Sequence, residues 1–438
     1  MAKLVKFSQV HSCGAGIDIG SREIFVSIDG KSAVTFQTFT RDYHACCQYL
    51  VGEGISQVAM EATGVYWLCL YSMLEDYGIR VCLVNPREVG QVKGRKSDVR
   101  DCQWIQQLFV AGLLRESIIP EGLLKELRFL IRERADLIGV SGMYINKMQR
   151  SLELMNIKLR EVISQIHGVS GLKVIRAILA GERDTDILIS LCHSSIRDKK
   201  ADQIKKALEG NYNPHYLYLL GLNLHLWEEH ERLVKEIESK IEELLDTLNE
   251  STKGIEVTSK SKPTRHHNPC INELHTKMVQ LYGGVDLTGI AGINDVTLLR
   301  LYAEVGSDMS RFATARHFVS WLGLSPAHKQ SGRMKRRIKG NPGNQAGLIF
   351  RQSAQSLVQS KHNAIGVFMR RIRNKKGSRI AIKAGARKIA QAYYLALTKG
   401  IDYVEQGVER YLEQQKQREV YMMRVLAKKH SYNIVESA

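Results

Sequence analysis

The sequence predicts an α/β domain followed by a long, mainly helical region, and three observations carry that expectation. The first hundred residues alternate strand-like apolar runs with helical ones, each closed by Gly, Pro, Asn or Asp. From Leu123 onward apolar residues recur at threes and fours. Between Met309 and Ile401, 93 residues hold 20 Lys and Arg and no Asp or Glu, so the net charge of that block, +20, exceeds the +18 of the whole 438-residue chain.

The elements follow in order. Gly14 to Gly20 and Glu23 to Ile28 read as strands, Asp29-Gly30 as a hairpin turn, and Ala33 to Phe39 as a third alternating strand. A helix runs from Arg41 to about Gly52, a strand from Gln57 to Glu61, a helix from Val65 to Tyr77, and a fifth strand from Arg80 to Val84, closed by Asn85-Pro86. Ser97 to Leu114 is again helical. Three hairpin-linked strands followed by αβαβα is the order of an RNase H-like sheet.

Leu127, Leu130, Leu137, Ile145, Met148, Leu152 and Met155 predict helix from Leu123 to about Arg160. Leu226, Leu233, Ile237, Ile241, Leu244 and Leu248 keep a near-heptad spacing, which suits an antiparallel coiled coil, a dimerisation arm or a core helix of a bundle. Ser251 to Pro269 is polar and reads as a linker. The basic block then opens on Leu287 to Ile293, where Gly289 and Gly292 feed a helix from Val296 to Val305. That turn resembles a helix-hairpin-helix, whose backbone N–H groups can face a phosphate, and it also suits a plain interhelical turn. The expected division is 10–160 for the α/β domain with its trailing helix, 161–280 for the helical region and linker, 281–400 for the basic domain, and 401–438 for a helical tail.

Composition bounds the partners. A basic block without interspersed acids calls for a polyanion, and nucleic acid carries the densest phosphates. No run of about 18 uncharged apolar residues occurs and the N-terminus lacks a signal-peptide core, so the expectation is a cytoplasmic protein without a membrane partner. The eight cysteines form no CxxC pair, which argues against a disulfide framework, and His266, His267 and Cys270 have no second pair to complete a zinc site.

Four carboxylates stand out. Asp18 lies mid-strand in Gly16-Ile17-Asp18-Ile19-Gly20, where a charge among apolar neighbours is costly unless a cation meets it. Glu61 ends the fourth strand, and Asp98 and Asp101 share one helix face at i,i+3 spacing. In an RNase H-like sheet these elements converge, and four hard oxygen donors can hold one or two Mg²⁺ for phosphoryl transfer. The same glycine-flanked Asp18 resembles the first phosphate motif of actin-like ATPases, but the second phosphate loop and adenosine loop of that fold are missing. Ser331, in Gln330-Ser331-Gly332-Arg333-Met334-Lys335-Arg336-Arg337, sits beside four cations. Spacing alone leaves it between a nucleophile and a phosphate-binding serine.

With those acids in place, and with Leu287 to Ile293, Phe312 to Phe318, Trp321 to Pro326 and Gln330 to Gly332 downstream, the chain resembles a DEDD-type insertion-sequence transposase of the "one hundred and ten" family over residues 14–390. The resemblance implies a RuvC-like domain, a coiled-coil arm and a mainly helical C-terminal transposase domain that together form one composite site. It implies magnesium on Asp18, Glu61, Asp98 and Asp101, and Ser331 as the residue joined covalently to DNA. It further implies DNA ends and target as substrates, a guiding bridge RNA encoded by the element, and a dimer of dimers. Arg333, Lys335, Arg336, Arg337, Lys339, Arg351, Gly289 and Gly292 are the expected nucleic-acid contacts. Two departures stand: only Arg351 follows Gly340 to Asn344, where the family carries more arginines, and Cys102 replaces a small residue after Asp101. A metal-dependent nuclease or junction resolvase using water, or a binding protein without chemistry, are the rival classes.

Overall fold

The computed structural model describes residue 11 and residues 13–432, apart from 63, 87–97, 115, 118, 121, 261–267, 327, 332–333, 338–343, 361–362 and 402–407. The chain divides into two compact units, Met1–Ile119 and Pro120–Ala438.

The first unit is a five-stranded sheet with helices on both faces. β1 (Gly14–Ile19), β2 (Glu23–Ser27) and β3 (Val34–Gln37) form an antiparallel meander; α1 (Thr40–Gly52), β4 (Gln57–Glu61), α2 (Trp67–Asp76), β5 (Arg80–Val84) and α3 (Asp98–Val110) follow. The strand order is β3-β2-β1-β4-β5, with β1, β4 and β5 parallel. This is the order expected of an RNase H-like sheet. Alternation sends Ala15, Ile17, Val58, Met60, Val81 and Leu83 to one face, where Cys46, Leu50, Leu70 and Leu74 of α1 and α2 cover them. Leu50, Leu70 and Leu74 are fully buried, each contributing about 1.5–3 kcal/mol. On the other face Ala59, Cys82 and Val84 meet Ile105 and Phe109 of α3.

The second unit is helical. α4 (Leu123–Leu154) is followed by α5 (Leu159–Val162), α6 (Val169–Leu179), α7 (Thr185–Ser190), α8 (Ser194–Leu208) and α9 (Pro214–Asn249). α4 ends at Leu154, short of the expected Arg160, because Asn156 takes a left-handed conformation (φ 57°) and breaks the helix. α4 and α9 run antiparallel, paired by Arg134–Glu238 and Ser141–Glu231 hydrogen bonds, both 2.7 Å. The ion pair is buried, so it fixes register more than it adds stability. Of the near-heptad series only Ile241 is fully buried in the chain; Leu226, Leu233, Ile237, Leu244 and Leu248 are half-buried.

α10 (Leu274–Leu281), a short 3-10 turn (Leu287–Gly289), α11 (Asp295–Val305) and α12 (Ala315–Trp321) lead to a hairpin of β6 (His328–Ser331) and β7 (Met334–Arg337). α13 (Gln345–Leu357), α14 (Ala364–Lys376), α15 (Ser378–Lys399) and α16 (Val408–Lys429) complete the chain. Phe318, Phe350 and Tyr393 form the aromatic centre of this part, fully buried and in ring contact. No described helix is long and apolar enough to cross a membrane.

Candidate active site

The sheet register brings two of the four acids together. Ile17 pairs with Met60 across the parallel β1–β4 ladder, so the next residues, Asp18 and Glu61, leave strands about 4.8 Å apart at the same level. Ile17 and Met60 point to the α1–α2 face, and alternation therefore turns Asp18 and Glu61 toward α3. Both are half-buried. α3 opens on Asp98 and carries Asp101 in its first turn, over that same face. The side chain of Asp98 lies outside the described residues.

Cys102 reports on how close the acids are. Burial first, then the negative charge of Asp18 and a smaller effect of Asp101, push its thiol up to about 12. The sulfur donates to Val99 O at 3.1 Å. A protonated, inert thiol thus fills the space beside two carboxylates.

The approach of α3 depends on a glycine and three glutamines. A Cβ on Gly16 would lie 2.3 Å from both Cys102 O and Gln106 N, so only glycine lets the helix backbone touch β1 here. Gln106 Nε2 donates to Gly14 O (3.2 Å) and Ile28 O (3.0 Å), Gln107 to Gly30 O (2.8 Å), and Gln103 to Lys31 O (2.7 Å). These residues clamp α3, and with it Asp101, across the sheet. Sequence reasoning missed them; the only signal is three glutamines at i, i+3 and i+4 on an otherwise apolar helix face.

All four acids offer oxygen donors, the set that suits a hard divalent cation. Among the described residues, no group of three or more His, Cys, Asp or Glu is close enough to hold a metal ion. The side chain of Asp98, the fourth donor, is not among them.

In the second unit Ser331 is the last residue of β6 and pairs with Met334 of β7, so it sits at the turn end of a hairpin. Lys335, Arg336 and Arg337 lie along β7 by backbone, while Arg333 and Lys339 fall outside the described residues. Arg351 is half-buried on α13, and its Nε has no hydrogen-bond partner among the described residues. The glycine turn is held inside the fold: a Cβ on Gly292 (φ +85°) would lie 3.0 Å from Ser353 O, and one on Gly289 would lie 3.7 Å from Ile401. The left-handed backbone and the tight contact account for glycine at 292 without a phosphate.

A family model of DEDD transposases of the IS110 kind matches residues 15–157, and that of the transposase IS116/IS110/IS902 family matches residues 286–365. The chain belongs to the IS110 transposase family. The matches take in about half of the sequence and include Asp18, Glu61, Asp98, Asp101, Gly289, Gly292, Ser331 and the cations from Arg333 to Arg351. No curated protein matches the sequence significantly. Membership makes this a DNA-processing enzyme of an insertion sequence.

Proposed function

We propose that this transposase is a magnesium-dependent recombinase in which Asp18, Glu61, Asp98 and Asp101 hold one or two Mg²⁺ and Ser331 is the nucleophile. The observation that carries the reading is the β1–β4 register, which sets Asp18 beside Glu61 on the face that α3 covers with Asp101. When bound, the metal supplies charge stabilisation to the oxygens of the reacting phosphate. The chain supplies the rest. Asp18 and Glu61 are fixed by strands of the core and Asp101 by the glutamine clamp, so the acids are ordered before substrate arrives. Ser331 Oγ bonds to phosphorus as the bridging P–O bond of the strand breaks, and the departing strand hydroxyl carries away a proton in place of the one Ser331 loses. An incoming strand hydroxyl reverses the step and restores the serine.

In this reading residues 10–160 and 281–400 contribute to one composite site, 161–280 form the arm, and 401–438 the tail. A bridge RNA encoded by the element pairs with donor and target DNA. The half-buried stripe of Leu226, Leu233, Ile237, Leu244 and Leu248 supports association of arms into a dimer of dimers.

Ser331→Ala tests the mechanism. With element ends, RNA and Mg²⁺, wild-type protein should become covalently attached to DNA, whereas the variant should bind both nucleic acids and form no adduct. A variant that still cuts within about tenfold of wild type, a change of about 1.4 kcal/mol, would make water the nucleophile and the enzyme a nuclease.

A further inference from the structure

The second family match ends at residue 365, and the chain beyond it builds a separate surface. α14 and α15 meet at Gly377 (φ +85°), and α16 packs back against α14, where Arg371 lies 3.8 Å from Glu419. Lys375, Lys376 and Arg379 crowd that corner, all exposed and without an ion pair among the described residues. The helix dipole accounts for Lys375 and Lys376, which end α14, but it opposes Arg379 in the first turn of α15. A cation held where the fold disfavours it, with no acid beside it, calls for an external anion.

α16, which meets α14 at Glu419, carries exposed aromatic rings of its own. Tyr421, Arg424, Val425 and Lys428 recur at i, i+3, i+4 and i+7, so they share one side of the helix. Tyr421 is 66% exposed, and Tyr432, 74% exposed, follows where Ser431 turns the chain left-handed and Tyr432 N–H donates to Ala427 O at 2.9 Å. Cations interleaved with open aromatic rings match a strand whose bases are unpaired, since the backbone meets the charges while the bases stack. A duplex would offer phosphates alone and leave both tyrosines in water.

We propose that the α14–α15 corner and α16 form an accessory site for single-stranded nucleic acid, with the backbone on Lys375, Lys376, Arg379 and Lys428 and bases stacked on Tyr421 and Tyr432. The proposal rests on the reading of the chain as a nucleic-acid enzyme, but its test reads binding alone and does not depend on Asp18 or Ser331 chemistry.

Full-length protein is titrated by fluorescence anisotropy with a 20-nucleotide oligouridylate, a 20-nucleotide oligothymidylate and a 20-base-pair DNA duplex over a range of salt. K375E/K376E/R379E should weaken single-strand binding at least tenfold at about 100 mM salt and flatten its salt slope by about 2, as loss of three phosphate contacts requires. Y421A/Y432A should weaken single-strand binding about tenfold with an unchanged slope and leave duplex binding within twofold. Preference between the two oligonucleotides identifies the sugar and supports the site either way. Equal losses on duplex and single strand, or none with Y421A/Y432A, overturn it. So does a lower mass of Y421A/Y432A by light scattering, which would make the tyrosine face a contact between copies of this chain.

Discussion

Gly16→Ala isolates the geometry of the acid site without touching an acid. The new Cβ would lie 2.3 Å from Cys102 O and from Gln106 N, about 1 Å short of an ordinary contact. Both neighbours are helix backbone and cannot swing away as a side chain end would, so α3 must retreat by about that distance. The retreat stretches the Gln106 bonds to Gly14 O and Ile28 O, and it carries Asp101 away from Asp18. Overpacking of this kind costs about 1–3 kcal/mol of stability, some 5–15 °C in Tm for a unit of this size. A displacement of about 1 Å at a metal-holding carboxylate is expected to lower the rate roughly 100-fold, about 2.7 kcal/mol in the barrier. The assay is Mg²⁺-dependent strand cleavage at 20 °C, with the folded fraction followed by circular dichroism and DNA affinity by anisotropy. Gly52→Ala serves as control, because its added Cβ meets nothing within 4 Å. Cleavage within about threefold of wild type would refute the claim that the contact between α3 and β1 sets the site. A loss that merely tracked the unfolded fraction would do so equally.

Asp18→Asn should abolish cleavage while nucleic-acid affinity stays within about twofold, measured on the same substrates, because the lost charge belongs to the acid site and not to the basic block. Leu233→Asp with Ile237→Asp should lower the oligomeric mass seen by light scattering, both residues being half-buried on α9; Ile241→Asp should instead unfold the arm of a single chain, since Ile241 is fully buried there. Charge reversal of Lys335, Arg336 and Arg337 together should weaken binding by a similar factor for every DNA sequence tried, because contacts to phosphate position without specifying. Sequence-dependent losses would mean that these side chains read bases.

What the sequence made legible was local in origin. Alternation is written in each strand, so the five strands and their order could be anticipated, and Asp18 betrays itself as a charge between Ile17 and Ile19. What stayed hidden depends on partners far along the chain. Gln106 reads as an ordinary helical residue until its bonds to Gly14 and Ile28 are seen, 92 and 78 residues away. The arm shows the same limit. Apart from Ile241 the expected series is half-buried, while the buried face also includes Leu220, Leu224, Trp227, Val234, Glu238, Leu245 and Asn249. A search for apolar spacing passes over Glu238 and Asn249, yet Glu238 holds Arg134 and the Cys270 N–H, and Asn249 donates to Gln280 Oε1 at 2.6 Å. The β6–β7 hairpin gave no signal at all, because His328 to Ser331 and Met334 to Arg337 have no apolar alternation.

That hairpin also explains why the two halves of the proposed chemistry are built so differently. The acids stand on strands and a helix tied into a core, where the cost of ordering them falls within the folding of the unit. Ser331 stands on two strands of four residues each, a length that is marginal on its own in water. The sequence there adds Lys329, Arg333, Lys335, Arg336 and Arg337 within nine residues, charges that repel one another until phosphate lies between them. In the proposed function, phosphate bound along the hairpin would offset that repulsion. In the proposed mechanism the cations beside Ser331 would thus serve the phosphate that the serine attacks, as the acids of the sheet would serve the metal.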